Sequence, residues 1–349
     1  MFLLVCWGES VCGLKVEMVD VVKLSQQKDF IQLPTSFAVT EDHLYFILDK
    51  KAANIKIYNP SGKLVKAFGR KGIGPHEFQE PLYMSYHQGR LAIMDIGTRK
   101  VHIYSRDPKS DLRKEKEFLC LTLGSDLCLR GDRLLIAGYK ADTDDRPYDL
   151  YIQDYRKERI DFLLPSEHKY GLDSVKEFWN SFRSKFDIPA IGTQAYCDWL
   201  ADDVYFVWEG DLRIIKMNTG DKKIHPFGHK TGSYIQPKAT DRVIEAYKRR
   251  DSQARLKERS KMSYVTGIFA APEYIIVQYI TPGKAPQTRR ARLQFYTPEG
   301  TFINEVELPR KEYNLYYFKR DEEILYALSL ETTGELQEIY SMYRYRIVR

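Results

Sequence analysis

The sequence predicts an all-β fold: a six-bladed β-propeller with four-stranded antiparallel blades, an N-terminal strand that closes the last blade, and two helical insertions on one face. Three observations predict it. A pair of β-rich runs recurs six times along the 349 residues, most intervals between repeats match the length of one blade, and a strand-like segment precedes the first repeat.

The composition fits a folded protein of this kind. Hydrophobic residues make up 43% of the chain and charged residues 29%, which excludes a disordered chain. The 25 tyrosines suit strands, because the ring packs on a pleated surface while the hydroxyl reaches water. The net charge of +6 allows an anionic partner without requiring one.

Each repeat begins with a short apolar run that follows a polar turn. The six runs begin at residues 44, 91, 134, 204, 275 and 324, as in Leu44–Leu48 and Val204–Trp208. A second run follows each of them, and in most repeats, as in Asn54–Tyr58, its polar and apolar residues alternate. Paired runs behind such turns indicate antiparallel hairpins.

The spacing of the repeats predicts the insertions and the ring closure. The intervals are 47, 43, 70, 71 and 49 residues, and the two long ones contain helix-like segments near 172–186 and 239–262. In the first segment, Phe178, Phe182 and Phe186 form one helical stripe, which indicates packing onto the propeller. The last repeat supplies only three strands, so we expect residues 16–24 to add its outer strand.

Blade one carries a motif known from other propellers. Its runs Leu44–Asp49 and Ile55–Gly62 lead into Ala67–Phe78 and Pro81, a connector of the form FG-x-x-G-x-G-x-x-x-F-x-x-P. This resembles an NHL repeat and is most similar to the divergent six-bladed propellers of bacterial cell-envelope proteins, many of them lipoproteins. Blade four has a shorter echo, Phe227–Gly232 with Pro237. The resemblance implies the fold and an envelope location, whereas propellers host many unrelated activities.

Both insertions and the connector 68–81 fall between blades, so they share one face of the ring with the turns between second and third strands. Long additions on one face are typical of a binding side. The segment 239–262 holds eight basic and four acidic residues. Arg249 and Arg250, with Arg289 and Arg290 of the blade-five loop, are therefore candidates for binding an anionic ligand. The alternative is an ordinary solvated helix surface.

The ends of the second strands supply the remaining candidates. Trp208, Glu209 and Tyr279 are candidate ligand-binding residues near the channel mouth. Asp49, Asp95 and Glu209 could also hold a metal ion there, which would suit a hydrolase or lyase, with calcium as its cofactor. The sequence has no nucleophile elbow, Walker motif or clustered histidine motif, so neither a catalytic residue nor any other cofactor is predicted.

The cysteines and the N-terminus bear on the compartment. Cys120 and Cys128 either form a disulfide across a hairpin or are two buried, small apolar residues. Residues 1–12 are interpreted as a residual signal or anchor-like segment, or as disordered, and 13–349 as a single propeller. Leu3–Cys6 resembles a lipoprotein cleavage site, which makes Cys6 a candidate for lipidation. No stretch reaches the ~18–20 apolar residues of a membrane-spanning helix.

The leading functional hypothesis is a non-catalytic binding propeller of the bacterial envelope, periplasmic or on the cell surface. It would bind a protein, peptide or glycan through the insertion-bearing face, with no specific nucleic acid as partner. The alternatives are a channel-mouth hydrolase or lyase and a purely structural interaction module.

Overall fold

The computed structural model describes residues 13–25, 30–107, 111–120, 123–139, 148–164, 194–237, 240–249, 251–283, 289–308, 314–319, 322–332 and 338–349. In these residues, six four-stranded antiparallel sheets form the six blades of a propeller, which confirms the predicted fold. The first strand of each blade is the innermost, since first strands contact one another from blade one to blade five and between blades six and one.

The strands run in chain order from the axis outward in blades one to five. Blade one contains β2 (Pro34–Val39), β3 (Tyr45–Asp49), β4 (Asn54–Tyr58) and β5 (Leu64–Phe68). A short pair, β6 (Arg70–Lys71) and β7 (Glu77–Phe78), precedes blade two, which contains β8 (Pro81–His87), β9 (Arg90–Asp95), β10 (Lys100–Arg106) and β11 (Leu112–Leu119). Blade three contains β12 (Leu123–Arg130), β13 (Arg133–Tyr139), β14 (Tyr148–Asp154) and β15 (Arg159–Leu164).

The remaining blades follow the same order. Blade four contains β16 (Ala195–Leu200), β17 (Asp203–Trp208), β18 (Ile214–Asn218) and β19 (Ile224–Phe227). Blade five contains β20 (Tyr264–Ala270), β21 (Ile275–Thr281), β22 (Arg290–Tyr296) and β23 (Phe302–Glu307). Blade six contains β24 (Asn314–Lys319), β25 (Ile324–Thr332), β26 (Glu338–Val348) and, from the N-terminal end, β1 (Lys15–Lys23).

Strand β1 closes the ring as the sequence predicted. It pairs antiparallel with β26 from Lys15 opposite Val348 to Lys23 opposite Ser341. The guanidinium of Arg344 in β26 donates two hydrogen bonds to the carboxylate of Asp20 in β1. Because this pairing joins the two ends of the chain within one sheet, opening the ring requires an entire strand to separate.

Burial explains why the two runs of each repeat look different in the sequence. Every residue of β3 and of β21 is buried, because second strands have neighbouring blades on both faces. Outer strands alternate instead, as in β11, where buried or half-buried residues take turns with exposed ones. The apolar residues thus form separate clusters between neighbouring blades around the ring.

The insertion at 239–262 is helical, as predicted. It forms α1 (Asp241–Lys248) and α2 (Ser252–Arg259). The hydroxyl of Thr240 accepts a hydrogen bond from the N–H of Val243 at 3.4 Å, which caps the N-terminus of α1. The other predicted insertion, 172–186, lies outside the described residues. No helix in the described part of the chain is long and apolar enough to cross a membrane.

The glycine-rich connector of blade one is a folded loop that glycine makes possible. Gly69 adopts φ +88°, and a Cβ added to it would lie 2.5 Å from the ring of Phe78. The Glu77 carboxylate accepts a hydrogen bond from the N–H of Gly74 at 2.8 Å and pairs with Arg70, so the loop is held by its own residues. Glycine at position 69 therefore makes this tight connection possible.

Replacing Gly69 with alanine is expected to lower the free energy of unfolding by about 3 kcal/mol, because the new Cβ meets both a strained backbone and Phe78. Gly89→Ala is the matched control, since Gly89 has φ +74° with nothing within 4 Å of an added Cβ. That change should cost about 1 kcal/mol. Urea unfolding measures both, and equal losses in the two variants would contradict the clash with Phe78.

Candidate functional site

The insertion-bearing face is made by the connections between blades and by the turns between second and third strands. In the described residues it includes 24–25, 30–33, 69–80, 228–237, 240–249 and 251–263, which belong to connections between blades, and the turn 209–213 together with 282–283 and 289, which lie between β21 and β22. The opposite face carries the turns that join first to second strands and third to fourth strands. This division follows from the up-and-down order of every blade.

Glu209 lies at the base of the helical insertion. Its side chain is 4% exposed and forms an ion pair with the guanidinium of Arg259 in α2. The guanidinium carbon of Arg259 also lies 4.4 Å from the ring centre of Tyr264, and that of Arg289 lies 6.0 Å from the same ring. Glu209 and Arg289, two candidate residues from different blades, are therefore connected through Arg259 and Tyr264. Tyr264 was not among the residues predicted from the sequence.

Trp208 and Tyr279 are both inside the protein. Trp208 is 7% exposed and packs edge-on against Phe206 at 4.5 Å between ring centres. Tyr279 is fully buried, and its hydroxyl lies 2.5 Å from Glu305 and 2.8 Å from Ser233. Their environment gives both residues packing roles, and Tyr279 also anchors the 228–235 segment to blade five.

Glu305 is the centre of that anchor. Burial alone would raise its pKa, but hydrogen bonds from Tyr279, Gln294 and Arg292 outweigh burial and lower the pKa. Burial raises the pKa of Tyr279, and the bond to the Glu305 carboxylate adds to the rise. At neutral pH, Glu305 is thus a carboxylate that accepts hydrogen bonds from a protonated phenol.

Two of the predicted basic residues, Arg249 and Arg290, pair with carboxylates. Arg249, at the end of α1, is mostly exposed and lies 3.5 Å from Glu245. Arg290 in β22 pairs with Glu307 at 2.7 Å. Arg250 lies outside the described residues. Arg249 and Arg290 each have a carboxylate partner, so their charge is partly balanced within the protein.

Asp49 is wholly buried and holds a connection between blades. Its carboxylate accepts hydrogen bonds from the backbone N–H groups of Gln32 (2.7 Å), Leu33 (3.1 Å) and Ala52 (3.1 Å). The buried ammonium of Lys56 lies 4.0 Å away. This aspartate ties the incoming connection of blade one to the turn after β3.

Asp95 does the same in blade two. Its carboxylate accepts hydrogen bonds from the N–H groups of Gln79 (2.8 Å), Glu80 (2.8 Å) and Gly97 (3.0 Å). Among the residues that the structure describes, no group of three or more His, Cys, Asp or Glu side chains is placed to hold a metal ion. Of the three carboxylates predicted as metal ligands, those of Asp49 and Asp95 accept hydrogen bonds from backbone N–H groups, and that of Glu209 pairs with Arg259.

Polar side chains of the inner strands connect successive blades around the axis. The sequence did not predict this role. A single Ser or Asp in one inner strand bonds to the backbone of the next at four junctions between blades one and five. The bonds join Ser36 Oγ to Met84 O (3.2 Å), Leu129 N to Ser85 Oγ (2.9 Å), Cys197 N to Asp126 Oδ2 (2.9 Å) and Ala270 N to Asp198 Oδ2 (2.8 Å).

The two cysteines form no disulfide. The expected pairing across a hairpin does not arise, because Cys120 follows the outer strand of blade two whereas Cys128 lies in the inner strand of blade three. The Cys120 thiol lies 3.3 Å from the hydroxyl of Tyr151, and the Cys128 thiol donates to Asp198 at 3.2 Å. The second interpretation, buried or partly buried thiols, is the one the structure supports. Cys6 lies outside the described residues.

Exposed apolar side chains mark the insertion-bearing face and were also missed by the sequence analysis. Nine large apolar side chains are exposed in the described part of the chain, and they lie either on outer strands or on connections between blades. The four on connections are Phe30 (55%), Leu33 (48%), Ile73 (80%) and Ile235 (52%). An apolar residue within a polar, glycine-rich loop was the available signal, and Ile73 shows it.

Comparison with known proteins supports the fold. No protein-family model matches the chain, and no curated protein matches it. A member of the DUF4221 family from Bacteroides vulgatus aligns at a TM-score of 0.66 and 11% identity, covering 97% of this chain and 99% of that one. A Bacteroides fragilis protein, described as a proposed exported protein, aligns at 0.61 and 16% identity, covering 97% of each chain. At these identities the likeness shows a shared propeller fold.

Proposed function

We propose that this propeller is a non-catalytic binding module of the bacterial envelope that docks a protein or peptide partner on its insertion-bearing face. The observation that carries the proposal is the exposure of Phe30, Leu33, Ile73 and Ile235 on connections of that one face. A partner that covers apolar side chains removes them from water, which favours binding. The likeness to a protein described as a proposed exported protein supports a periplasmic or cell-surface location.

The charged residues of the same face suit the rim of such an interface. Protein interfaces combine an apolar centre with a polar rim, and arginine is enriched in them. Arg249 supplies an exposed guanidinium, while Arg259 is held by Glu209 and Tyr264. A peptide can therefore place apolar side chains on the loops and polar groups on the helices. A glycan is the alternative ligand for this face.

The decisive variant is Ile73→Asp. Placing a charge at the most exposed apolar residue of the face should weaken partner binding by about tenfold or more, since buried apolar anchors dominate interface energies. The measurement is binding of the purified protein to peptide and glycan arrays, followed by titration of the best ligand.

Val65→Asp is the matched control, because Val65 is 52% exposed but lies on the outer strand β5. It should leave binding unchanged, and both variants should melt within a few degrees of the wild type. Equal binding by wild type and Ile73→Asp would contradict the proposed face. Loss of binding only when Arg249, Arg250, Arg289 and Arg290 are all replaced by alanine would identify an anionic ligand instead.

A further inference from the structure

A cavity of about 320 Å³ opens on the face opposite the insertions. It lies where the inner strands of blades six, one and two end, so three successive blades supply its walls. Tyr86 and Tyr317 contribute aromatic rings, whereas the ring of Phe318 packs against Phe269 and Tyr274 of blade five. Glu41, His87, Gln88 and Lys319 contribute polar groups. Apolar walls with a few convergent polar groups are the usual composition of a small-ligand site, and this volume is at the lower end of the range.

The acidic wall is held in place by blade two. The hydroxyl of Tyr86 donates to Oε2 of Glu41 at 2.5 Å and accepts from the N–H of Gly89 at 3.1 Å. Burial raises the pKa of Tyr86 to about 12, and the bond to Glu41 adds to the rise, so the phenol keeps its proton and remains a donor. One oxygen of Glu41 is thereby positioned, and the other is left to accept from a ligand.

The basic wall is already neutralised. The side chain of Lys319 is 5% exposed, and its ammonium lies 2.5 Å from Oε1 of Glu322. The same carboxylate lies 3.5 Å from Nε2 of His43. An anionic ligand would therefore meet the Glu41 carboxylate while Lys319 is already paired, and a zwitterion would have to displace Glu322 from Lys319. Both are disfavoured relative to an uncharged ligand.

The third wall offers both donors and acceptors. The N–H of Gly131 donates to Nδ1 of His87 at 3.4 Å, so this ring nitrogen is an acceptor. The amide of Gln88 has a donor and an acceptor, and the residue is exposed at the tip of the β8–β9 turn. Hydroxyl groups match such a wall, because each of them can also donate and accept.

From this combination we propose that the cavity binds one uncharged sugar residue. A pyranose ring presents hydroxyl groups to Glu41, His87 and Gln88, and its C–H face packs against the aromatic wall. The cavity volume of about 320 Å³ has room for a single pyranose ring. The site is on the opposite face from the proposed docking surface, so a negative result for one proposal leaves the other unaffected.

Saturation-transfer NMR of the full chain tests the site with methyl α-D-glucoside, methyl α-D-galactoside, methyl α-D-mannoside and N-acetylglucosamine. Glucuronate and glycylglycine serve as anionic and zwitterionic comparison ligands. We expect at least one uncharged sugar to bind with a dissociation constant on the order of 1 mM, which suits a ligand of this size. Both comparison ligands should bind more weakly.

Glu41→Ala should weaken sugar binding by about tenfold or more, because it removes a charged hydrogen-bond acceptor, and Gln88→Ala should weaken it less. Gln88 is exposed, so Gln88→Ala should retain the wild-type melting temperature, whereas Glu41→Ala should lower it by a few degrees because the buried Tyr86 hydroxyl loses its acceptor. Glu245→Ala, on α1 of the other face, is the matched control and should bind as the wild type does. Absence of transfer to every uncharged sugar overturns the proposal. Wild-type affinity of Glu41→Ala for the sugar would also overturn it. So would tighter binding of glucuronate or glycylglycine than of every uncharged sugar.

Discussion

Asp49→Ala is expected to lower the free energy of unfolding by about 4 kcal/mol, a large part of the stability of an ordinary domain. The change removes the acceptor of three backbone N–H groups. It also leaves the buried ammonium of Lys56 without the carboxylate 4.0 Å away. A buried charge that loses its partner is among the most destabilising single changes. Urea unfolding followed by tryptophan fluorescence measures the loss.

Asp154→Ala is the matched control for this effect. The Asp154 carboxylate also accepts two backbone hydrogen bonds, from Arg156 at 3.1 Å and Lys157 at 2.9 Å, but in an exposed turn. Its replacement should cost less than about 1 kcal/mol, because water takes over the N–H groups. A similar loss in the two variants would show that Asp49 is no more than a turn residue. Asp49→Asn should fall between them, since the amide keeps one acceptor oxygen.

The sequence predicted the ring well because its signals arise from burial. Second strands such as β3 and β21 are buried on both faces, and this produces the continuous apolar runs that mark each repeat. The segment 16–24 could be assigned to blade six because a three-stranded last repeat requires a fourth strand, and β1 occupies that place within one residue of the expected bounds. The predicted bounds of a strand can be wrong at its ends. The run predicted at Leu44–Leu48, for example, corresponds to a strand that spans Tyr45–Asp49.

The sites were harder to predict, because position along a strand does not tell which groups a side chain meets. Glu209 ends its strand as Asp49 does, yet Asp49 binds backbone N–H groups whereas Glu209 binds a side chain 50 residues later in the chain. The cavity on the opposite face joins Glu41 to Lys319. Only ring closure places blade six beside blade one, so no local pattern could have indicated that wall.

The stability of the protein is also expected to depend strongly on pH, through Asp126 in the inner strand β12. Burial raises the pKa of Asp126 to about 7, against the lowering effect of the hydrogen bonds from Cys197 and Leu127, and the neighbouring Asp198 carboxylate adds to the rise. Asp126 keeps a partial opening to solvent. Its carboxyl therefore binds a proton in the folded protein at pH values where an unfolded aspartate, with a pKa near 3.9, has lost it.

The sign of the effect follows from this difference in proton binding. Between about pH 4 and pH 7 the folded state holds one proton more than the unfolded state at Asp126, so the contribution to stability is present at low pH and is lost as pH rises toward 7. From pH 5 to pH 8 the free energy of unfolding should fall by about 2 kcal/mol through this group. Urea unfolding at each pH measures the fall.

Asp126→Asn isolates the contribution, because the amide cannot titrate. The variant should lose some stability at every pH, since one of its two polar atoms can no longer accept the hydrogen bond from Cys197 or Leu127. The test is how the free energy of unfolding of each protein changes with pH. The wild type should lose about 2 kcal/mol more than the variant between pH 5 and pH 8, because only the wild type releases a proton there. Parallel profiles would mean that Asp126 is ionised in the folded ring throughout this range, with its two backbone hydrogen bonds outweighing burial and the charge of Asp198.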